Sequence, residues 1–251
     1  MDLRLIINIK NSNLIRSIER EYIRNFIYKS LQNTKWSFYH DKPKYKHFCF
    51  SNLFPFNKDG KIDADFNLII SSPYDDLIWT IQKLLVEERI LKLGDNNFEI
   101  LKTRLCKTPL NISTIITATP IIERISEKKF KKYGIQSQKD YAYWTEGEIL
   151  NAFIDSVSNN LLLRYKNFST ESEVLGFKAK YNSYPDDLRI FSTLKYKKTV
   201  YAWDKHNVGT MWEFGISNKY TNSDIVHYLY ETGLGERNAS SGSGFVNIKL
   251  S

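Results

Sequence analysis

Cysteine is nearly absent. Cys49 and Cys106 are the two in 251 residues, and no C-x-x-C spacing occurs. That argues against a disulfide framework and a cysteine-built zinc site, and fits a reducing cytoplasm. Histidine is almost as scarce: His40, His47, His206 and His227 form neither H-x-x-x-H nor H-E-x-x-H. No metal constellation is therefore visible, and no metal or other cofactor is expected. No run of eighteen apolar residues occurs, so neither a membrane-spanning helix nor a membrane partner is expected. The apolar run near Leu3–Ile9 is too short for a signal peptide and reads as a strand. No G-x-x-x-x-G-K-[ST] loop and no G-x-S-x-G elbow is present, so neither a P-loop nucleotide site nor an α/β-hydrolase nucleophile is indicated.

Basic and aromatic residues are plentiful instead. The chain has 36 Lys and Arg against 28 Asp and Glu, a formal charge of +8, with sixteen Tyr and fifteen Phe. The excess sits early: residues 1–60 hold eleven basic and five acidic side chains, and the remainder holds 25 and 23. A basic surface of this kind suits a polyanion such as RNA or DNA. The aromatics supply core material and rings on which bases can stack.

Periodicity gives the organisation. Leu3–Ile9 reads as a strand, Leu14–Leu31 as a helix with Ile15, Ile18, Tyr22 and Phe26 on one face, and 47–52 and 65–71 as strands. Ser72 as N-cap, Pro73 and Asp75 open a second helix. A turn at Gly94–Asn97 then leads into a strand over Phe98–Cys106. That is β-α-β-β-α-β, the ferredoxin-like split. Pro109 marks a boundary, giving domains over 1–110 and 111–251. In the second, Ser113–Ile125 reads as a strand, Lys128–Lys132 as a charged loop, and Thr145–Glu148 as a capping box for a helix to Leu163. Strands are expected at Val174–Tyr181, Phe191–Lys197 and Met211–Ile216, then a helix from Thr221 to Gly233 and a last strand. The fold class is α+β, two tandem ferredoxin-like (RRM-like) βαββαβ domains.

Two stretches carry candidate chemistry. Gly233, Gly235, Gly242 and Gly244 form a G-x-G…G-x-G frame around Arg237, Asn238, Ser240 and Ser241. Such a loop brings backbone N–H groups close to a phosphate, or simply connects a helix to a last strand. Near residue 40, His40, Lys42, Lys44, Lys46 and His47 crowd into eight residues. Histidine transfers protons near neutral pH, and lysine stabilises charge on a phosphate. The same stretch also reads as a solvated basic loop.

These residues resemble the CRISPR-associated endoribonucleases that cut precursor CRISPR RNA within its repeats, the sixth numbered Cas family of the RAMP superfamily. Gly233–Val246 is similar to that family's glycine-rich signature, with Ser243 where an aromatic or aliphatic residue is usual. Phe26–Tyr28, Tyr39–Asp41 and Lys46–Ser51 are similar in order and spacing to its catalytic segment, and Thr117–Ile121 to the Pro-containing strand that opens its second domain. The resemblance implies metal-independent cleavage by 2′-OH attack, giving 2′,3′-cyclic phosphate and 5′-OH ends, with Tyr28, His40 and Lys46 catalytic. It implies CRISPR repeat RNA as partner, touched by Lys42, Lys44, His47, Gly233, Gly235, Arg237, Asn238, Ser240, Ser241, Gly242 and Gly244. Association with CRISPR effector subunits or a second copy of the chain is left open, as is a non-cleaving RNA-binding role on the same fold.

Overall fold

The computed structural model describes residues 3–11, 19–41, 45–58, 61–146, 149–175, 190–202 and 207–249. Two compact units make up the chain. One holds the chain through Thr108 together with Ala239–Gly242; the other holds Pro109–Asn238 and the chain from Ser243 onward.

The first unit is built around β1 (Leu3–Ile9), whose Leu3, Leu5, Ile7 and Ile9 are buried at every second position, as a strand requires. Next come α1 (Arg20–Leu31), β2 (Cys49–Phe50), β3 (Phe66–Ser72), α2 (Asp75–Glu88), β4 (Ile90–Leu93) and β5 (Asn96–Lys107). The sheet order is β2-β3-β1-β5-β4, with β1 antiparallel to both β3 and β5. Removing β4 leaves the ferredoxin-like order. The helices bury Ile23, Phe26, Ile27 and Leu31 from α1, and Leu77, Ile78, Ile81 and Leu85 from α2, the spacing of one helical face.

Three boundaries differ from expectation. The start expected for α1 at residue 14 falls largely outside the described residues. α2 begins after Tyr74, because the Ser72 hydroxyl accepts from the Tyr74 N–H and itself donates to the His47 carbonyl. β4 is an added strand. Arg89, at φ +53, closes α2 in a left-handed turn that sequence marks only when it is glycine, and β4 then pairs with β5.

The second unit repeats the plan: β6 (Thr114–Thr117), β7 (Ile121–Ile122), β8 (Arg124–Ser126), α3 (Phe130–Tyr133), β9 (Tyr141–Tyr143), α4 (Leu150–Val174), β10 (Phe191–Ala202), β11 (Asn207–Ile216), α5 (Asp224–Thr232), α6 (Asn238–Ser241) and β12 (Val246–Ile248). Its main sheet runs β10-β11-β6-β12, again the ferredoxin-like order. The single strand expected over 113–125 is three short ones, because Pro120 offers no N–H to a ladder. The expected charged loop includes the short helix α3, closed by Gly134 at φ +64. α4 starts after Ile149 without a side-chain cap, so Thr145 does not cap it; Gly147 and Glu148 lie outside the described residues. It runs on to Val174 because Tyr165, Phe168 and Ser172 extend its buried stripe. Val174 thus ends a helix rather than opening a strand, and the rest of that expected strand, beyond Leu175, lies outside the described residues.

Candidate active site

Tyr28 sits in the last turns of α1, half-buried. The chain then packs Trp36 and Tyr39 into the core, their rings stacked at 5.8 Å, and the short turn Ser37–Tyr39 delivers His40 to the surface. Lys46 precedes the buried pair His47 and Phe48. These anchors bring the three expected catalytic side chains together. Lys46 Nζ donates to the Tyr28 hydroxyl at 2.7 Å and approaches the His40 carbonyl at 3.4 Å. It also lies 4.6 Å from the centre of the Tyr28 ring. The Tyr28 ring meets His40 edge-on at 5.6 Å and Phe48 at 6.0 Å. His40 Nδ1 lies 2.6 Å from the Asp41 carboxylate. A proton on Nδ1 satisfies that contact and leaves Nε2 as the ring nitrogen available for proton transfer. Asp41 as the imidazole's partner went unremarked in the sequence, where it is one more polar residue on a loop.

The candidate RNA contacts fare differently. Lys42 and Lys44 lie outside the described residues. His47 is fully buried, edge-on to Tyr74 at 6.1 Å, so its side chain belongs to the core and not to an RNA-facing surface. Asn238 is likewise spent inside the loop: its amide donates to the Leu234 and Ser243 carbonyls, and its Oδ1 accepts from Arg164 at 2.5 Å. The glycines are buried too. Gly244, at φ +68, lies so close to the Leu234 carbonyl that no Cβ fits, and its N–H is held by the Pro120 carbonyl. Gly242, at φ +61, would place a Cβ 2.5 Å from the Phe50 carbonyl. The glycines let the chain pack against itself, which replaces the reading of them as an open cradle for phosphate. Arg237 and Ser240 remain exposed, and Ser241 is half-exposed. Within the first unit, Arg20 donates to the Ser241 carbonyl at 2.8 Å, tying the loop's tip to the helix that carries Tyr28. Burial pulls the Arg20 guanidinium down to about 9, which leaves it charged at neutral pH. Among the described residues no three His, Cys, Asp or Glu side chains gather as a metal site.

The family model described as CRISPR associated protein Cas6, C-terminal, matches residues 106–248. The chain belongs to the Cas6 family. It is 27% identical to CRISPR-associated endoribonuclease Cas6 2 of Methanocaldococcus jannaschii, over 98% of this chain and 99% of that one. It is 27% identical to CRISPR-associated endoribonuclease Cas6 of Haloferax mediterranei, over 90% and 85%. In fold it is similar to the product of a Cas6-related gene from Pyrococcus furiosus, with TM-score 0.70, 20% identity and full coverage of both chains. A RAMP protein described as binding different RNA substrates follows at TM-score 0.66 and 19% identity, over 99% and 100%.

The Cas6 C-terminal family model covers the glycine loop but not Tyr28, His40 or Lys46, so that cluster stands on its own geometry. The loop also owes its shape to a residue that the sequence reading missed. Arg164, buried on α4, donates to the carbonyls of Thr232, Gly233 and Gly235, the Thr232 hydroxyl and Asn238 Oδ1. A lone arginine in a long amphipathic helix reads as solvent-facing, and nothing in local spacing marks it otherwise.

Proposed function

We propose that the chain is an endoribonuclease that cuts precursor CRISPR RNA within its repeats without a metal ion. The reading rests on one observation above all: a phenol, an imidazole and an ammonium meet on one surface, with Lys46 Nζ 2.7 Å from the Tyr28 hydroxyl and the Tyr28 and His40 rings 5.6 Å apart. RNA transesterification needs those three functions. The ribose 2′-oxygen attacks the adjacent phosphorus in line, the 5′-oxygen leaves with a proton, and charge grows on the phosphoryl oxygens between. His40 takes the proton of the 2′-hydroxyl and gives one to the leaving 5′-oxygen, base and acid in turn. Lys46 donates to the Tyr28 oxygen, which makes the phenol O–H a stronger donor, and so Tyr28 orients the 2′-hydroxyl and phosphate. Lys46 also supplies positive charge to the transition state. The products are a 2′,3′-cyclic phosphate and a 5′-OH. DNA, which lacks the nucleophile, is bound and not cut.

Incubating repeat RNA with the purified protein in EDTA tests the reading. Cleavage to a cyclic phosphate end is expected, abolished by a single 2′-deoxy nucleotide at the scissile position. Strict dependence on Mg²⁺ or Mn²⁺, or equal cutting of the deoxy-substituted strand, would overturn it.

A further inference from the structure

A second gathering of basic and aromatic side chains lies on the β8–β9 ribbon. The register pairs Arg124 with Tyr143, Ile125 with Ala142, and Ser126 with Tyr141. Side chains alternate along a strand, so Arg124, Ser126, Tyr141 and Tyr143 share one face while Ile125 turns into the core. The two tyrosine rings lie 5.5 Å apart and half-exposed. The Arg124 guanidinium is 5.6 Å and the Lys139 ammonium 5.5 Å from the Tyr141 ring centre. The Tyr143 phenol donates to Asn207 Oδ1 at 2.8 Å, fixing that ring.

The glycine loop runs beside this face, since the Glu236 N–H donates to the Ile122 carbonyl at 2.7 Å. Arg237, exposed, directly follows Glu236, whose carboxylate accepts from Arg124 on this face. The negative groups are Glu236, which accepts from Arg124 Nε at 2.7 Å, Asp140 next to Lys139 in the chain, and exposed Glu127, whose N–H donates to the Asp140 carbonyl. Behind the ribbon, burial pushes the Glu123 carboxyl up to about 8, so at neutral pH it is mostly protonated and does not cancel the cations.

Half-exposed rings on one strand face, with Arg124 and Lys139 beside the Tyr141 ring, match what an unpaired nucleic-acid strand needs: π-faces for bases and positive charge for phosphates. We propose that the β8–β9 face, with Arg237, is a stacking platform for an unpaired stretch of the RNA substrate, formed by residues other than the Tyr28–His40–Lys46 set. The proposal rests on the RNA-processing reading only in its choice of probe.

The test is the affinity of the full chain for labelled single-stranded repeat RNA carrying 2′-O-methyl groups throughout, which attack by a 2′-hydroxyl cannot cut. Tyr141→Ala is expected to bind roughly 5- to 100-fold more weakly, and Tyr141→Phe to bind like the parent, because the ring stacks and the hydroxyl does not. Arg237→Ala is expected to lower the log–log salt slope by about 0.7. DNA of the same sequence should show the same Tyr141 dependence, since stacking does not read the 2′-oxygen; RNA annealed to its complement should show none. Parental single-strand affinity in Tyr141→Ala, whether the face then seats a protein or nothing, overturns the proposal. So does a Tyr141→Phe variant as weak as Tyr141→Ala. Because the probe is uncleavable, failure to cut natural repeat RNA would count against the proposed activity alone.

Discussion

His40 and Arg164 are both basic side chains within hydrogen-bond reach of an acceptor, yet the fold treats them in opposite ways. The His40 side chain is 62% exposed and meets one carboxylate. Arg164 is 5% exposed and spends its guanidinium on five acceptors within the glycine loop and the end of α5. A group that must pick up and release a proton at a substrate has to be reachable and lightly committed. A group that fixes backbone geometry works best buried, where unmet carbonyls would be costly. The N-terminal cluster thus leaves an imidazole accessible, while the network beneath the loop holds shape.

The sharpest way to break this contrast is His40→Ala. Loss of a proton-transfer group that acts mainly in the transition state is expected to slow single-turnover cleavage by roughly 10²- to 10⁴-fold with RNA affinity retained. Rate and affinity measured on the same RNA separate the two effects. A normal cleavage rate would remove His40 from the reaction.

The matching change on the other side is Arg164→Met, which keeps the bulk of the side chain and removes every donor. Four carbonyl or amide oxygens and a hydroxyl lose a buried partner together. The expected cost is about 3–4 kcal/mol, below the sum of separate bonds because the loop relaxes around the loss. In a chain of this size that corresponds to a fall in Tm of roughly 6–16 °C. A melting curve within a degree or two of the parent would mean that the loop holds its shape without the arginine.

The same contrast explains what could be read from sequence. Alternation over Leu3–Ile9 is a local pattern and marked β1; the stripe expected for α1 put Tyr22 on the core face, whereas the structure buries Ile23, Phe26, Ile27 and Leu31 and leaves Tyr22 exposed. Tyr28, His40 and Lys46 were grouped by the family resemblance, not by local spacing, and the fold brings their side chains together. The glycine frame was just as visible, and of its two readings, a phosphate cradle or a connection from a helix to the last strand, the packing favours the second. Small residues looked like room for a phosphate, whereas the room is filled by the chain's own Leu234 and Phe50 carbonyls. Close approach between distant segments leaves no mark in spacing. For the same reason His47, next to Lys46, looked like a surface base and lies in the core, and β4 went unread because it pairs with β5 straight after α2 ends, through a left-handed turn at the non-glycine Arg89.

The gentlest test concerns Glu123, which combines the two treatments: an ionisable group that is buried and has one carboxylate oxygen without a hydrogen-bond partner. Burial, with the nearby Glu236 charge adding to it and Arg164, Lys129 and Arg124 opposing, raises its carboxyl from 4.5 to about 8. The folded state therefore holds a proton that the unfolded chain has already released above about pH 4.5. Stability from this group is fully present below that value and falls as pH rises from about 4.5 towards 8. Glu123→Gln fixes the neutral form. It is expected to match the parent near pH 4.5 and to be more stable by about 1–3 kcal/mol near pH 8, the gap opening steadily between. Denaturant midpoints for both proteins across that range measure it. Parallel curves would mean that Glu123 ionises freely in the fold, and that the surrounding cations outweigh its burial.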